Sequence, residues 1–239
     1  MSDIEEVARA VQQVAQAGEK SLEVSEKIGA FFAKVFCEPA TEIAAMITDR
    51  LRFVRWKRLL KTAEDVNRIL KERGIRETRA VTPKLALPIF EESSLEDDES
   101  LHSLWNNLLA NAMDPNFKGE IRSAYTEIIK NLDPADARLL FAMYSTLKQL
   151  GKLEFAEARK VGMKKDAICK NLTMTERDYL VSANNLMRLR CIAPFILHIG
   201  AGNGLSMPGN EKFTIDKGTD VVAMTPLGIT FVEACSEQQ

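Results

Sequence analysis

The sequence predicts a mainly α protein: an N-terminal helical bundle with long helices, then a winged-helix-like C-terminal module with a small two-stranded β-hairpin. Three observations predict it. Apolar residues recur at three- and four-residue steps through the first 150 residues, the period of a helix face. Asp133-Pro134-Ala135-Asp136 joins an N-cap acceptor, a proline at the first helical position and a first-turn acid, and so starts a new helix. Beyond it, helical stretches give way to two β-compatible runs separated by a long Gly/Asn/Ser/Pro-rich stretch, and a last helix closes the chain. These breaks place an N-terminal helix or extension over 1–37, a helical domain over 38–132 and a winged-helix-like domain over 133–239.

The elements follow in order. Residues 2–34 are helix-compatible, with a thin stripe of Val7, Val11, Val14 and Ala15 that needs a partner helix. Pro39 opens a long helical pattern carried by Ile43, Ile47, Leu51, Val54, Leu60, Ala63, Val66 and Leu70. Gly74 stands at its C-terminal cap, after Lys71 and Arg73, whose charges suit a helix C-terminus. Thr82-Pro83 and Leu87-Pro88 bound a short helix over 83–92, and Ser93 or Ser94, with Asp97, caps the next. That next helix carries Leu101, Leu104, Trp105, Leu108, Leu109 and Ala112. Ile121, Tyr125, Ile128, Ile129 and Leu132 mark another. After the Asp133 start, Leu139, Leu140, Met143, Tyr144 and Leu147 run to Gly151. A helix over 164–171 precedes a capping box, Thr173 to Glu176, which opens the helix holding Tyr179, Leu180, Ala183, Leu186, Met187 and Leu189. Strands are expected over 191–199 and 220–224, with a flexible loop at 200–210 and a final helix through Ala234.

Composition bounds the functions. The chain has 239 residues, is 46% hydrophobic and carries a formal net charge of -2, so no global field draws it to nucleic acid or an anionic membrane. Cys37, Cys169, Cys191 and Cys235 are widely spaced, without a CxxC pair, and read as reduced, largely buried thiols of a cytoplasmic protein. The most apolar stretch, 28–47, contains Lys34, Glu38, Pro39 and Glu42, a poor membrane span. No GxxxxGK[ST], GxGxxG, HExxH or GxSxG occurs. The Gly200 to Gly204 cluster follows a strand and precedes more loop, which reads as a wing tip and not a phosphate cradle. No catalytic residue, metal site or cofactor is expected, and the protein reads as a non-enzyme.

Three polar clusters remain. Asp98, His102 and Asn106 share one helical face, but one carboxylate, one imidazole and one amide make a poor metal site. They read as an acidic helix start with a partly solvated histidine. Arg50, Arg52, Arg55, Lys57, Arg58 and Lys61 form a basic patch for phosphates, for an acidic partner, or for the chain's own 91–99 acidic run, with the internal or solvated reading favoured. Lys164, Lys165, Lys170, Arg177, Asn184, Asn185 and Arg188 are the residues a DNA-reading winged helix would offer to bases and phosphates. Residues 133–239 hold thirteen basic and twelve acidic residues, however, a weak footprint for specific DNA binding.

Three segments together carry a resemblance: Val81-Thr82-Pro83-Lys84 through the 87–98 run, then Leu104-Trp105-Asn106-Asn107-Leu108-Leu109-Ala110-Asn111-Ala112, then 224–235 with Thr225, Leu227, Gly228, Phe231 and Cys235. With the Leu132 to Leu140 pattern, their order and spacing over 38–235 resemble the bacterial Abi-alpha family, named for abortive infection. The resemblance implies antiphage defence. Its motifs are helix-packing patterns, so it carries no catalytic residue with it. A protein partner is expected, either a phage component or a second defence protein. DNA is the alternative partner, and a homo-oligomer stays open.

Overall fold

A computed structural model describes residues 21–37, 56–195 and 219–237. The chain divides into two compact units, Met1–Asn131 with Glu233–Gln239, and Leu132–Val232. Expectations that fall on 1–20, 38–55, 196–218 or 238–239 lie outside the described residues. These include the Val7 to Ala15 stripe, the Pro39 helix start and the 200–210 loop. No described helix is long and apolar enough to cross a membrane.

The first unit contains α1 (Ser21–Phe36), α2 (Trp56–Glu72), α3 (Pro83–Leu95), α4 (Glu99–Met113) and α5 (Ala124–Lys130). Ile28, Phe31, Phe32, Val35 and Phe36, at helical spacing, bury one face of α1. Phe90 of α3 is fully buried among them, its ring centroid 5.9 Å from Phe31, 4.9 Å from Phe32 and 6.3 Å from Phe36. Helix α2 contributes Leu59, Ala63, Val66 and Leu70 to this core and packs on α3 and α4. It ends where Gly74 takes φ 71°: the Gly74 N–H donates to Lys71 O at 2.9 Å and the Ile75 N–H to Leu70 O at 2.9 Å, a double closure that a left-handed glycine permits.

Two boundaries differ from the sequence reading. Helix α3 runs three residues further, to Leu95, carrying Pro88 inside it. Pro88 has no N–H for the helical ladder, but fully buried Ile89 and Phe90 hold the helix beyond it. Ser93 and Ser94 therefore cap nothing; both are fully buried within α3. The cap of α4 is Asp98, whose carboxylate accepts from the Ser100 N–H at 2.9 Å and the Leu101 N–H at 3.1 Å.

The second unit contains α6 (Pro134–Gln149), α7 (Phe155–Ala158), β1 (Met163–Lys164), α8 (Lys165–Leu172), α9 (Glu176–Arg188), β2 (Ile192–Pro194) and β3 (Val221–Met224). Helix α10 (Pro226–Cys235) begins here, and its last residues group with the first unit. Pro134 opens α6, and the Asp136 carboxylate accepts the Asp133 N–H at 3.1 Å. That same Asp136 oxygen accepts from the Asn185 amide at 2.6 Å, which ties α9 to α6.

The sheet has three antiparallel strands in the order β1-β3-β2, not the two-stranded hairpin expected. Met163 pairs with Val222 and Lys164 with Val221, while Ile192 pairs with Met224 and Pro194 with Val222. A two-residue strand has no periodicity to read, so β1 is visible only through its partner. The α9 cap also moves: Thr175 Oγ1, not the Thr173 side chain, accepts the Asp178 N–H, at 3.1 Å. Thr173 instead closes α8 in the left-handed region at φ 51°, ψ 43°. Gly228 lets α10 lie against the end of α9: a Cβ there would sit 2.1 Å from Cys191 O.

Candidate functional site

The polar chemistry of the first unit gathers where α2 faces α4. On α2, Asp65 is followed three and four residues on by Arg68 and Ile69, and Glu72 comes four after Arg68, so they form one face, with Arg73 beside it. On α4, Ser103, Asn106 and Asn107 do the same. These residues and Glu237 line a cleft of about 210 Å³.

Its floor is bonded on the inner side. Arg73 donates to Asn111 Oδ1 at 2.7 Å and lies 3.5 Å from the buried Asp114 carboxylate. The fully buried Asn111 amide donates to Ala234 O at 2.7 Å and Ser236 O at 3.1 Å, which anchors the segment carrying Glu237. Asn106 donates to Asp65 Oδ2 at 3.2 Å, and Arg68 holds the other Asp65 oxygen at 2.7 Å. That carboxylate, with Glu72 and Glu237 nearby, raises the Arg68 guanidinium pKa.

Three polar atoms of these side chains are shut off from the surface without a hydrogen-bond partner: Asn106 Oδ1, Asn107 Oδ1 and Arg73 Nη2. Asn106 is 3% exposed and Asn107 8%. A buried polar group left unpaired costs about 1–3 kcal/mol.

Of the sequence-predicted candidates, Asp98, His102 and Asn106 do not converge on one point. Asp98 caps α4, Asn106 turns to Asp65, and His102 sits with Nε2 3.5 Å from Thr62 Oγ1 and Nδ1 unpartnered. His102 is also not partly solvated, as expected, but 1% exposed, and burial pushes its pKa down. The Leu101 and Trp105 stripe takes it into the core. Among the described residues, no group of three His, Cys, Asp or Glu is placed to hold a metal.

In the basic patch, Arg58 pairs with Asp97 at 2.7 Å and Lys61 pairs with Glu99, which lowers the Glu99 pKa. Both acids belong to the chain's own acidic run. Lys57 is exposed, and Arg50, Arg52 and Arg55 lie outside the described residues.

In the second unit, Lys165 pairs with Glu176 at 2.6 Å and lies 3.6 Å from Asp220, which raises its pKa. Arg188 donates to Asn185 Oδ1 at 2.7 Å, and Asn184 donates to Leu180 O at 2.7 Å. Lys164, Lys170 and Arg177 are exposed. Behind them the buried Tyr179 hydroxyl donates to Thr219 O at 2.8 Å, and burial pushes its pKa up to about 12. The seven candidates thus separate into three exposed cations and four side chains bonded within the unit.

The sequence profile of the family described as abortive infection alpha matches residues 55–235, about three quarters of the chain. The chain belongs to the abortive infection alpha family. Comparison with curated proteins and with solved structures gives no match. The matched span covers α2, from which Asp65, Arg68 and Glu72 come, Arg73 just after it, and α4 with its asparagines. Of the cleft, Glu237 alone lies beyond it.

The sequence reading missed Asp65, Arg68, Glu72, Arg73, Ser103, Asn107, Asn111, Asp114 and Glu237 as parts of one site. A signal existed for two of them: Asn107 and Asn111, like Asn106, are amides inside an otherwise core-forming helix, where asparagine has a poor propensity and needs partners.

Proposed function

We propose that this member of the abortive infection alpha family acts in antiphage defence as a non-enzymatic, cytoplasmic module that binds a partner protein, either a phage component or a second defence protein. Family membership across residues 55–235 carries the reading. The polar groups of the first unit support it, because they are spent on joining helices and on lining an open cleft. Neither use pairs a nucleophile with a base. The test is phage challenge of cells carrying the protein, with affinity capture during infection. Loss of protection on deletion and recovery of a partner that binds the purified protein directly are expected. Full protection with no partner recovered would overturn the reading.

A winged-helix nucleic-acid binder is the second reading, favoured by the β1-β3-β2 strand order and by α9 directly preceding β2. Lys164, Lys170 and Arg177 would supply its phosphate contacts. Three such contacts give a slope of log affinity on log salt of about -2.7. Retention on duplex DNA at low salt, abolished by K164E/K170E/R177E, is the expected outcome. No retention of the parent protein ends this reading.

A further inference from the structure

The geometry points to α9 as a base-reading helix: its outward face enters the major groove of duplex DNA, where Val181 packs on a thymine methyl and Asn184 pairs with an adenine edge. The inference deepens the nucleic-acid reading and rests on it.

Helix α9 buries Tyr179, Ser182, Ala183 and Leu186. Arg177, Val181, Asn184 and Arg188, at steps of four, three and four, lie on the opposite face, and all of them are exposed. Val181 is 63% exposed, more than Leu95, Leu150 or Phe155, and adds nothing to the core. The face carries no carboxylate. Glu176 and Asp178 lie to its sides, where Glu176 accepts from Lys165 at 2.6 Å and Asp178 from the Thr175 hydroxyl at 2.6 Å. Lys164, Lys170 and Arg177 make no ion pair among the described residues. The far end of the face is braced. Arg188 Nε and Nη2 donate to Asn185 Oδ1 at 3.0 and 2.7 Å, and the Asn185 amide donates to the buried Asp136 carboxylate at 2.6 Å. A side chain held in this way loses less freedom on binding.

The connection before α9 selects the occupant. Three residues, Thr173, Met174 and Thr175, separate α8 from α9, and Thr173 turns the chain in the left-handed region at φ 51°. So short a turn is that of a helix-turn-helix pair, whose second helix lies in the major groove. An acidic protein surface would also meet the arginines, but nothing in it calls for this presentation of α9. A helix of about 10–12 Å diameter fits a groove about 12 Å wide. There Val181 meets the C5-methyl of thymine, the one apolar group on the groove floor. Asn184 Nδ2 exchanges its bond to Leu180 O, 2.7 Å long, for adenine N7, and Asn184 Oδ1 accepts from adenine N6. Arg177, Lys164 and Lys170 stay on the phosphates, which position the helix without reading sequence.

The test is selection by the full chain from duplexes with about ten randomised base pairs, one turn of the double helix, then anisotropy titration of the enriched duplex. A preferred sequence holding A·T pairs is expected. Deoxyuridine in place of each thymine in turn removes the methyl group alone. At one thymine this should weaken binding by the parent protein about fourfold, and the loss should vanish in V181A. Preference for one adenine, about tenfold in the parent, should be lost in N184A. Both side chains are exposed, and thermal unfolding checks that both variants fold. A thymine-to-uracil loss unchanged in V181A, or an adenine preference unchanged in N184A, would overturn the inference. Retention on every duplex alike sinks the inference and spares the nucleic-acid reading. No retention of the parent protein sinks both, and a captured partner that R177E/V181D no longer binds then assigns the face to a protein.

Discussion

Thr173 holds a β-branched side chain at φ 51°, ψ 43°, a region that costs an L residue about 1–2 kcal/mol. Its side chain is exposed and caps nothing, so Thr173→Gly removes the strain at the price of a looser unfolded chain. A net gain of about 0.5–1 kcal/mol in urea unfolding is expected. His102 gives a pH dependence. Burial, aided by the Lys61 charge, holds its folded pKa below the ordinary 6.5. Between the folded pKa and 6.5 the unfolded chain carries a proton that the folded chain does not. Stability therefore falls as pH falls through that window, by at most about 1.4 kcal/mol per pH unit. Urea midpoints at pH 7.5 and 5.5 should differ less in His102→Leu than in the parent protein.

At the scale of the element, helix ends decide where function can sit. Asp98 is the sole side chain that accepts from both the Ser100 and Leu101 amides. Asp98→Ala should lower stability by about 1 kcal/mol in thermal unfolding, with the far-ultraviolet signal retained. Helices were legible wherever an apolar stripe and a stop coincided, as at Leu70 and Gly74 or at Asp133 and Gly151. Caps were not, because Ser93 and Ser94, or Thr173 and Thr175, offer the same hydroxyl two residues apart or less. Burial of a neighbour, not local propensity, chooses between them. Strand β1 escaped for a related reason: Met163 and Lys164 become a strand by pairing with Val222 and Val221, some sixty residues away in sequence. The cleft was half legible. Asn106 could be placed on a helix face, whereas Asp65, Arg68 and Glu72 of α2 stood out by no pattern. The anchoring of Ala234 and Ser236 by Asn111, which sets Glu237 beside Arg68, is a long-range event without a local signature.

At the scale of the whole molecule, each unit has its own core: Phe90, Trp105 and Leu108 in the first, Leu140, Tyr179 and Leu186 in the second. Gly228→Ala places a methyl group against the Cys191 backbone, where nothing flexible can yield. It should cost about 2–3 kcal/mol, read as a lower denaturant midpoint. The net charge of -2 spread over both signs argues that recognition is local, set by patches of a few residues and not by a global field. The four thiols are unequal in the same local way, against the expectation that they are largely buried. Cys191 and Cys235 are buried, Cys169 is half-buried, and Cys37 is exposed at the end of α1. Burial also raises the Cys169 and Cys191 pKa values, the latter to about 12. A thiol-reactive dye at neutral pH should therefore settle first on Cys37. The native chain thereby supplies its own attachment point on the first unit, so that a fluorophore or spin label can report on that unit without engineering a single residue.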